Sequence, residues 1–211
     1  MISQEVVTYK QKPVKIIKDQ KTLKIFQDEN LMIVLKFLKK GPKTIQDLVE
    51  DFKEYNDEKS DKTIYRYLHK LIQVKLVAKA GKRVTSKDEE DLVSETIYLR
   101  TAKAFITVNP IDDRECTGGA ECPVWEATRL LVGQFFDSKG DKEGFAELAS
   151  NLDRDIDNLV IQMFEKADEE TLDKIADLDW AGINHVMQFS GWLAMATKKD
   201  LPKELEKVYK S

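Results

Sequence analysis

The sequence predicts a mainly α-helical chain with a small β-hairpin, an α+β class, in which a helical second half follows a mixed first half. Three observations predict it. Apolar residues repeat at helical spacing early in the chain, two short β-branched runs come after those helices, and helical periodicity returns near residue 125. The 211 residues are enough for one large or two small domains, and an apolar fraction of 42% supports a core.

The chain is predicted to begin with a polar arm over 1–13 that ends at Pro13. The segment Val14–Phe26 mixes β-branched residues with lysines, and its periodicity leaves a strand or a short helix open. The first clear helix follows, because four apolar residues then recur at i, i+3, i+4 and i+7 before Gly41-Pro42 ends the pattern. These four residues are Leu31, Val34, Leu35 and Leu38.

Two capped helices are predicted next. Thr44 is the expected N-cap of the second helix, with Asp47 three residues later in a capping-box position. The third helix is expected to begin at Ser60 or Asp61 after a polar stretch. The buried stripe of this third helix is predicted to be Ile64, Leu68, Leu71 and Ile72.

A β-hairpin is predicted after the third helix. Leu76–Ala78 indicates a short strand, Gly81–Arg83 the start of a loop, and Thr96–Leu99 the returning strand. The acidic run 87–92 has no core-forming residues and is expected at the tip. Three helices followed by a hairpin is the order of a winged helix-turn-helix domain, which we place at 14–108.

The third helix, about residues 60–73, is the predicted recognition helix. Opposite its buried stripe it presents polar and basic residues, a pattern that suits the major groove of DNA. Arg66 is expected to take a guanine edge, and Lys62 and Lys70 to contact phosphates. The complete predicted DNA-binding set is Thr44, Lys62, Thr63, Tyr65, Arg66, Tyr67, Lys70, Lys79, Lys82 and Arg83, the last three in a basic wing on the DNA backbone.

Charge is sorted along the chain. Residues 1–87 carry 20 Lys and Arg against 11 Asp and Glu, a balance of +9, whereas residues 88–211 carry 14 against 27, a balance of −13. This asymmetry favours a polyanionic partner for the first half, although clustering on a solvated surface is the alternative.

A resemblance supports the same interpretation. The stretches LMIVLKFLKKGPKTIQDLVEDF, SDKTIYRYLHKLIQVKLVAKAGKR and ETIYLRTAKAF resemble the winged helix domain of ArsR-like transcriptional regulators of archaea and bacteria. The resemblance covers about residues 14–108 and implies binding of double-stranded DNA. The metal-sensing cysteines typical of that family lie in its second or third helix, where this chain has none, so the family's metal site does not carry over.

The second half is predicted to be a connector, 109–123, followed by a helical dimerisation and possible sensor domain, 124–211. Proline and glycine mark a connecting region from Thr101 to Pro123. The predicted helices are Trp125–Phe136, Lys142–Lys166, Glu169–Asp177 and Trp180–Thr197. The second of them carries a seam that packs internally or pairs with another subunit, formed by Phe145, Leu148, Leu152, Ile156, Leu159 and Met163.

Cys116 and Cys122 are the two cysteines, and both are placed in the connector. Inert loop cysteines, a redox pair and half of a metal site all remain open. His69 is expected at the surface or boundary of the recognition helix, and His185 in a core. Trp180, Phe189 and Trp192 are expected to belong to a core or to line an effector pocket.

The resulting functional prediction is a cytoplasmic, homodimeric transcriptional regulator without cofactor, membrane segment or enzymatic activity. No catalytic constellation, phosphate-binding glycine loop or specific metal motif is present in the sequence. The alternative is a winged helix assembly factor that contacts protein and does not bind DNA sequence-specifically. The operator, the direction of regulation and any small-molecule effector are left open.

Overall fold

A computed structural model describes residues 2–86, 92–107 and 119–210. Most of the described residues are helical and the strands form two small sheets, in agreement with the predicted mainly helical α+β class. The chain divides into two compact units, Met1–Thr107 (unit 1) and Val108–Ser211 (unit 2).

Unit 1 contains both helices and strands. In chain order its elements are β1 (Ile2–Val7), β2 (Lys12–Ile17), α1 (Gln20–Leu23), a 3-10 turn (Lys24–Gln27), α2 (Glu29–Lys39), α3 (Ile45–Glu54), α4 (Asp61–Gln73), β3 (Val77–Ser86), β4 (Leu92–Arg100) and β5 (Ala102–Thr107).

Helices α3 and α4 begin where the sequence predicts caps, whereas the Asp28 cap of α2 was not predicted. Thr44 and Asp47 form a complete capping box at the start of α3, and Ser60 caps α4. Their apolar stripes meet in one core, where Phe37 packs edge-on against Phe52 with ring centroids 5.1 Å apart. Removing the fully buried Phe52 ring would cost about 3–5 kcal/mol, because the cavity cannot fully collapse.

The main sheet has the order β1-β3-β4 with antiparallel pairs. The prediction of a polar arm over 1–13 is therefore wrong, because residues 2–7 form β1, which pairs along one edge of β3, and Lys12 and Pro13 begin β2. The segment Gly81–Arg83 was predicted to begin a loop, but it belongs to β3. The pairing of β3 with β4 shifts by one residue between Lys79 and Gly81 and then continues. The predicted acidic tip lies outside the described residues over 87–91.

A second, two-stranded sheet pairs β2 in parallel with β5. The segment Val14–Phe26 thus contains both structures that its sequence left open, a strand followed by a short helix. The prediction of a connecting region from Thr101 onward is wrong over Ala102–Thr107, because this segment forms β5. Its apolar side chains Ala102, Ala104, Phe105 and Ile106 are buried, so this segment belongs to the unit 1 core.

Unit 2 is helical in its described part. After a 3-10 turn at Gly119–Glu121, its helices are α5 (Pro123–Gly133), α6 (Lys142–Lys166), α7 (Glu169–Ala176), α8 (Trp180–Ala196) and α9 (Leu201–Tyr209).

The first four helices of unit 2 match the prediction within about three residues, whereas α9 was not predicted. Tyr209 of α9 explains why that helix forms: its ring stacks on Phe136 with centroids 4.8 Å apart, and its hydroxyl donates to the Arg129 carbonyl at 2.8 Å. The sequence also carried a signal for this helix that the prediction missed, because Leu201, Leu205, Val208 and Tyr209 recur at i, i+4, i+7 and i+8 after the Asp200 cap.

The seam predicted on α6 packs within unit 2. Phe145 and Ala149 at its start join a cluster with Val208 and Tyr209 of α9. Near its middle, a Cβ placed on Gly191 of α8 would lie 2.7 Å from Ile156 Cγ2, so the two helices approach closely there. The internal-core alternative therefore accounts for these parts of the seam.

Candidate nucleic-acid interface

Helix α4 presents a polar face opposite its buried stripe. Ile64, Leu68 and Leu71 are fully buried, and at 100° per residue the opposite side of the helix points away from the core. Six side chains are exposed there or at its borders: Lys62, Tyr65, Arg66, His69, Lys70 and Gln73. Arg66 and Lys70, on which the DNA-binding prediction depends, are open to solvent.

Three cations follow one ridge of this face. Lys62, Arg66 and Lys70 are spaced four residues apart, so their Cα atoms span about 12 Å along the helix, comparable to the width of the DNA major groove. Among the described residues none of the three forms an ion pair. Arg66 donates only to the neutral Thr63 hydroxyl, with Nη2 and Oγ1 3.4 Å apart. Its positive charge is therefore not neutralised within the described structure.

Two predicted contacts on α4 have structural roles instead. Tyr67 is half-buried and packs against Phe52 with ring centroids 6.5 Å apart. Thr63 is half-buried in the first turn, where its hydroxyl lies 3.1 Å from the Ser60 hydroxyl of the cap. Both residues border the core, so their side chains are less available to a ligand than those of the central ridge.

His69 and Gln73 were missed as interface candidates. They lie on the outward face together with Lys62 and Arg66, at the spacing 62, 66, 69 and 73. The helical periodicity that identified the buried stripe contains this signal, because the residues half a turn away from the stripe must point outward. Gln73 is of interest since glutamine can form two hydrogen bonds with an adenine edge.

Thr44 and Arg83 are removed from the candidate interface by their contacts. The Thr44 side chain is fully buried, and its Oγ1 accepts the Asp47 backbone N–H at 3.2 Å, while the Thr44 N–H donates to the Asp47 carboxylate at 2.8 Å. Arg83 donates to Asp47 and to Glu5 at 2.6 and 2.7 Å. These residues tie α3, β3 and β1 together, so we correct their assignment as DNA contacts.

The Asp47–Arg83 pair is held in its charged form. Burial acts to raise the pKa of Asp47, but hydrogen bonds from Arg83 and Thr44 outweigh burial and lower it. The hydrogen bond to Asp47 is also the main reason that the pKa of Arg83 is raised. Since two carboxylates surround Arg83, it adds little to the positive potential of the surface.

Lys79 and Lys82 are the exposed cations of the sheet that remain from the predicted wing contacts. They are paired with Tyr98 and Thr96 of β4, which are two residues apart, so both lysines lie on one face of the sheet. A shallow groove lined by Thr96, Tyr98 and Asp61 joins this part of β4 to the start of α4. The groove itself is lined by the acidic Asp61 and Glu95 and by none of these cations.

Two backbone hydrogen bonds connect the residue before the α3 cap to β4 of the main sheet. The Lys43 N–H donates to the Tyr98 carbonyl at 3.0 Å, and the Tyr98 N–H donates to the Lys43 carbonyl at 2.7 Å. Lys43 lies immediately before the α3 cap, so the bridge anchors the entry to α3 on β4. This connection contributes to the fixed position of α4 relative to the strands.

Cys122, the cysteine in the described part of the chain, offers no thiolate for a metal centre. Cys122 is buried and disulfide-bonded, and a disulfide sulfur presents no thiolate to a metal ion. Cys116 lies outside the described residues. Across 2–86, 92–107 and 119–210, no group of three or more His, Cys, Asp or Glu side chains could hold a metal ion. In the same ranges, no helix combines the length and apolarity needed to span a bilayer.

No protein-family model and no curated protein matches this chain. The candidate interface therefore has to be judged from its own geometry and charge.

Proposed function

We propose that unit 1 is a winged helix-turn-helix domain that binds double-stranded DNA, and that the protein acts as a homodimeric transcriptional regulator. One observation carries the proposal: α4 buries one face and exposes Lys62, Arg66 and Lys70 on the other, without an ion-pair partner among the described residues. Cations without such partners favour the binding of a polyanion. Cations that are paired with carboxylates would first have to give up those ion pairs.

The arrangement of elements supports the same proposal. Helices α2, α3 and α4 share one core, and β3 and β4 follow directly as an antiparallel hairpin. In domains of this organisation the last helix enters the major groove, and the strands contact the neighbouring backbone. Lys79 and Lys82 are suitably exposed for the backbone contact.

The proposed roles of the side chains follow from their chemistry. The Arg66 guanidinium suits the O6 and N7 acceptors of guanine, and Gln73 suits adenine. Lys62 and Lys70, one turn on either side of Arg66, suit phosphates and would position the helix without specifying sequence. Asp61 and Glu95 near the groove beside α4 disfavour phosphate there, so the backbone would pass outside that groove.

Binding can be tested by selecting duplexes from a random pool and measuring the affinity of the selected duplex by fluorescence anisotropy. We expect Arg66→Ala to weaken specific binding by about 1–3 kcal/mol. Arg154→Ala is the matched control, because Arg154 is also an exposed helical arginine that donates to a neutral side chain three residues earlier. This control should bind like the wild type.

The salt dependence separates this proposal from its alternative. Phosphate-driven binding should weaken steeply between low and moderate salt, and Lys62→Ala should reduce the slope by about one unit. An affinity that does not change with salt, or equal effects of the Arg66 and Arg154 substitutions, would refute the proposal. A stable protein partner captured without DNA, together with no duplex affinity, would favour the assembly-factor alternative.

A further inference from the structure

Helix α8 has an unusual composition for a helix that is partly exposed. None of its 17 residues, Trp180–Ala196, is Asp, Glu, Lys or Arg, whereas unit 2 as a whole carries 22 acidic and 12 basic residues. A helix that is apolar on all sides is normally covered on all sides. Most of the outer face of α8 is not covered within the described part of unit 2, although Trp192 at its border also lines an apolar cavity with Leu152 of α6 and Leu205 of α9.

The inner face of α8 is buried, and at Gly191 it packs closely against α6. Ile183, Gly191 and Met195 are buried, and Gly191 approaches Ile156 and Val160 so closely that a Cβ would overlap them. The outer face, by contrast, exposes large apolar side chains: 59% of Phe189, 48% of Trp192 and 56% of Leu193 are accessible.

The outer residues of α8 form a stripe, hereafter the α8 stripe. It consists of Gly182, His185, Phe189, Trp192 and Ala196, which follow one another at steps of three, four, three and four. This is the spacing at which one helix packs against another over its whole length. The stripe is also symmetric about Phe189, because rings lie on either side of it and a small residue lies at each end.

The exposed area is sufficient for a dimer contact. Aromatic side chains bury 150–250 Å² when fully covered, so the half-exposed rings and their neighbours offer roughly 500 Å² per copy. Two copies would together bury about 1,000 Å², the lower bound for a specific interface. A symmetric stripe can cover itself, because a two-fold axis through its centre brings the same residues of both copies together.

We propose that the α8 stripe is the dimer interface of this protein and pairs antiparallel with the α8 stripe of a second copy. Phe189 then faces its own counterpart at the two-fold axis, and His185 faces Trp192. The absence of charge on the α8 stripe permits a second copy as the occupant. Two acidic units repel one another over most of their surfaces, and the uncharged stripe is where they can approach without placing like charges face to face.

This inference specifies the partner contact of the proposed regulator, but dimer formation can be measured without DNA. Sedimentation equilibrium of the full chain from 1 to 100 µM is expected to show a dimer. Phe189→Glu should raise the dimer dissociation constant by about 100-fold or more, because both copies lose an aromatic contact and gain facing charges. Since Phe189 is exposed in the single chain, its replacement should leave the circular dichroism spectrum unchanged.

Phe135→Glu is the matched control. Phe135 is the most exposed large apolar side chain among the described residues, at 88%, and it lies outside the α8 stripe beyond the end of α5. The inference predicts a dissociation constant within about threefold of wild type for this variant. A monomeric wild type, or a Phe189→Glu protein that dimerises as well as the Phe135→Glu protein, would overturn it.

Crosslinking tests the antiparallel orientation. Phe189→Cys should form an intersubunit disulfide under mild oxidation, because its Cα atoms meet at the axis within the distance that a disulfide requires. Ala196→Cys should not, since residues 196 of antiparallel copies are about 21 Å apart along the helices. Crosslinking at 196 would refute the orientation. DNA binding by a monomer would refute only this inference, and a dimer without duplex affinity would refute only the proposed DNA binding.

Discussion

Asp47 is the side chain whose replacement best tests the assembly of unit 1. It accepts from the Thr44 N–H at 2.8 Å, which completes the cap of α3, and from Arg83 Nη1 at 2.6 Å, which joins α3 to β3. Asp47→Asn keeps an amide oxygen for the cap but removes the charge that pairs with Arg83. The variant therefore isolates the link between helix and sheet.

The magnitude follows from the contacts. A hydrogen bond between charged groups contributes about 1.5–3 kcal/mol when buried. The side chains of Asp47 and Arg83 are 24% and 20% exposed, so solvent screening reduces this contribution, and Glu5 continues to pair with Arg83. We expect Asp47→Asn to lower the free energy of unfolding by about 1–2 kcal/mol at pH 7.

The pH dependence of this loss has a definite sign. The pKa of Asp47 is lowered in the folded chain, so the carboxylate contributes stability above its unfolded pKa of about 3.9. That contribution disappears as the pH falls through the lowered folded value. The difference between wild type and Asp47→Asn should therefore be constant from pH 5 to 8 and should diminish below about pH 4.

Urea unfolding followed by far-ultraviolet circular dichroism measures this effect. All three tryptophans, Trp125, Trp180 and Trp192, lie in unit 2, so their fluorescence reports that unit separately. Arg83→Met in both backgrounds completes a double-mutant cycle and gives the coupling between the two side chains. An Asp47→Asn protein as stable as wild type at pH 7, or one whose deficit at about pH 3 is as large as at pH 7, would contradict the reasoning.

Two further substitutions test close packing in unit 1. Gly81→Ala should detach β1 from β3 and lower the free energy of unfolding by about 1–3 kcal/mol, because a Cβ at this position overlaps the Val6 carbonyl of the paired backbone. Hydrogen exchange of the β1 amides measures this detachment, and unchanged protection of these amides would count against it. Arg100→Met should leave the unfolding free energy unchanged or raise it by up to about 2 kcal/mol, measured by urea unfolding. Burial lowers the pKa of Arg100 to about 10, and its Nε has no acceptor among the described residues, so the substitution removes a buried charge that is only partly compensated. A loss above about 1 kcal/mol would show that the contact of the guanidinium with the Phe105 ring dominates.

Local sequence signals predicted those elements of unit 1 that local physics controls. The capping box of Thr44 and Asp47 was predicted because it depends on residues three positions apart, and the buried stripe of α4 because helical periodicity is short-ranged. The strand β1 was missed because its six residues include polar side chains and are stabilised by a partner about 80 residues away. Pairing at such a distance leaves no periodic trace in either segment.

The candidate interface shows the same division. The exposed positions of Lys62, Arg66 and Lys70 were predictable from the helical spacing of α4. The engagement of Arg83 with Asp47 and Glu5 was not, because it joins three elements that only the folded sheet brings together. A basic residue in a predicted wing has the same sequence signature whether it is free or paired, so charge composition overestimated the available cations.

The sequence by itself determined the caps of α3 and α4, the apolar stripe of α4, the approximate bounds of α5 to α8, and how charge is divided along the chain. These properties depend on backbone hydrogen bonding and side-chain polarity within a few neighbouring residues. Only the tertiary structure decided which apolar faces are already covered. It packed the start of the α6 seam against α9 and its middle against α8, and it left the α8 stripe exposed, because burial depends on the partner that each helix finds.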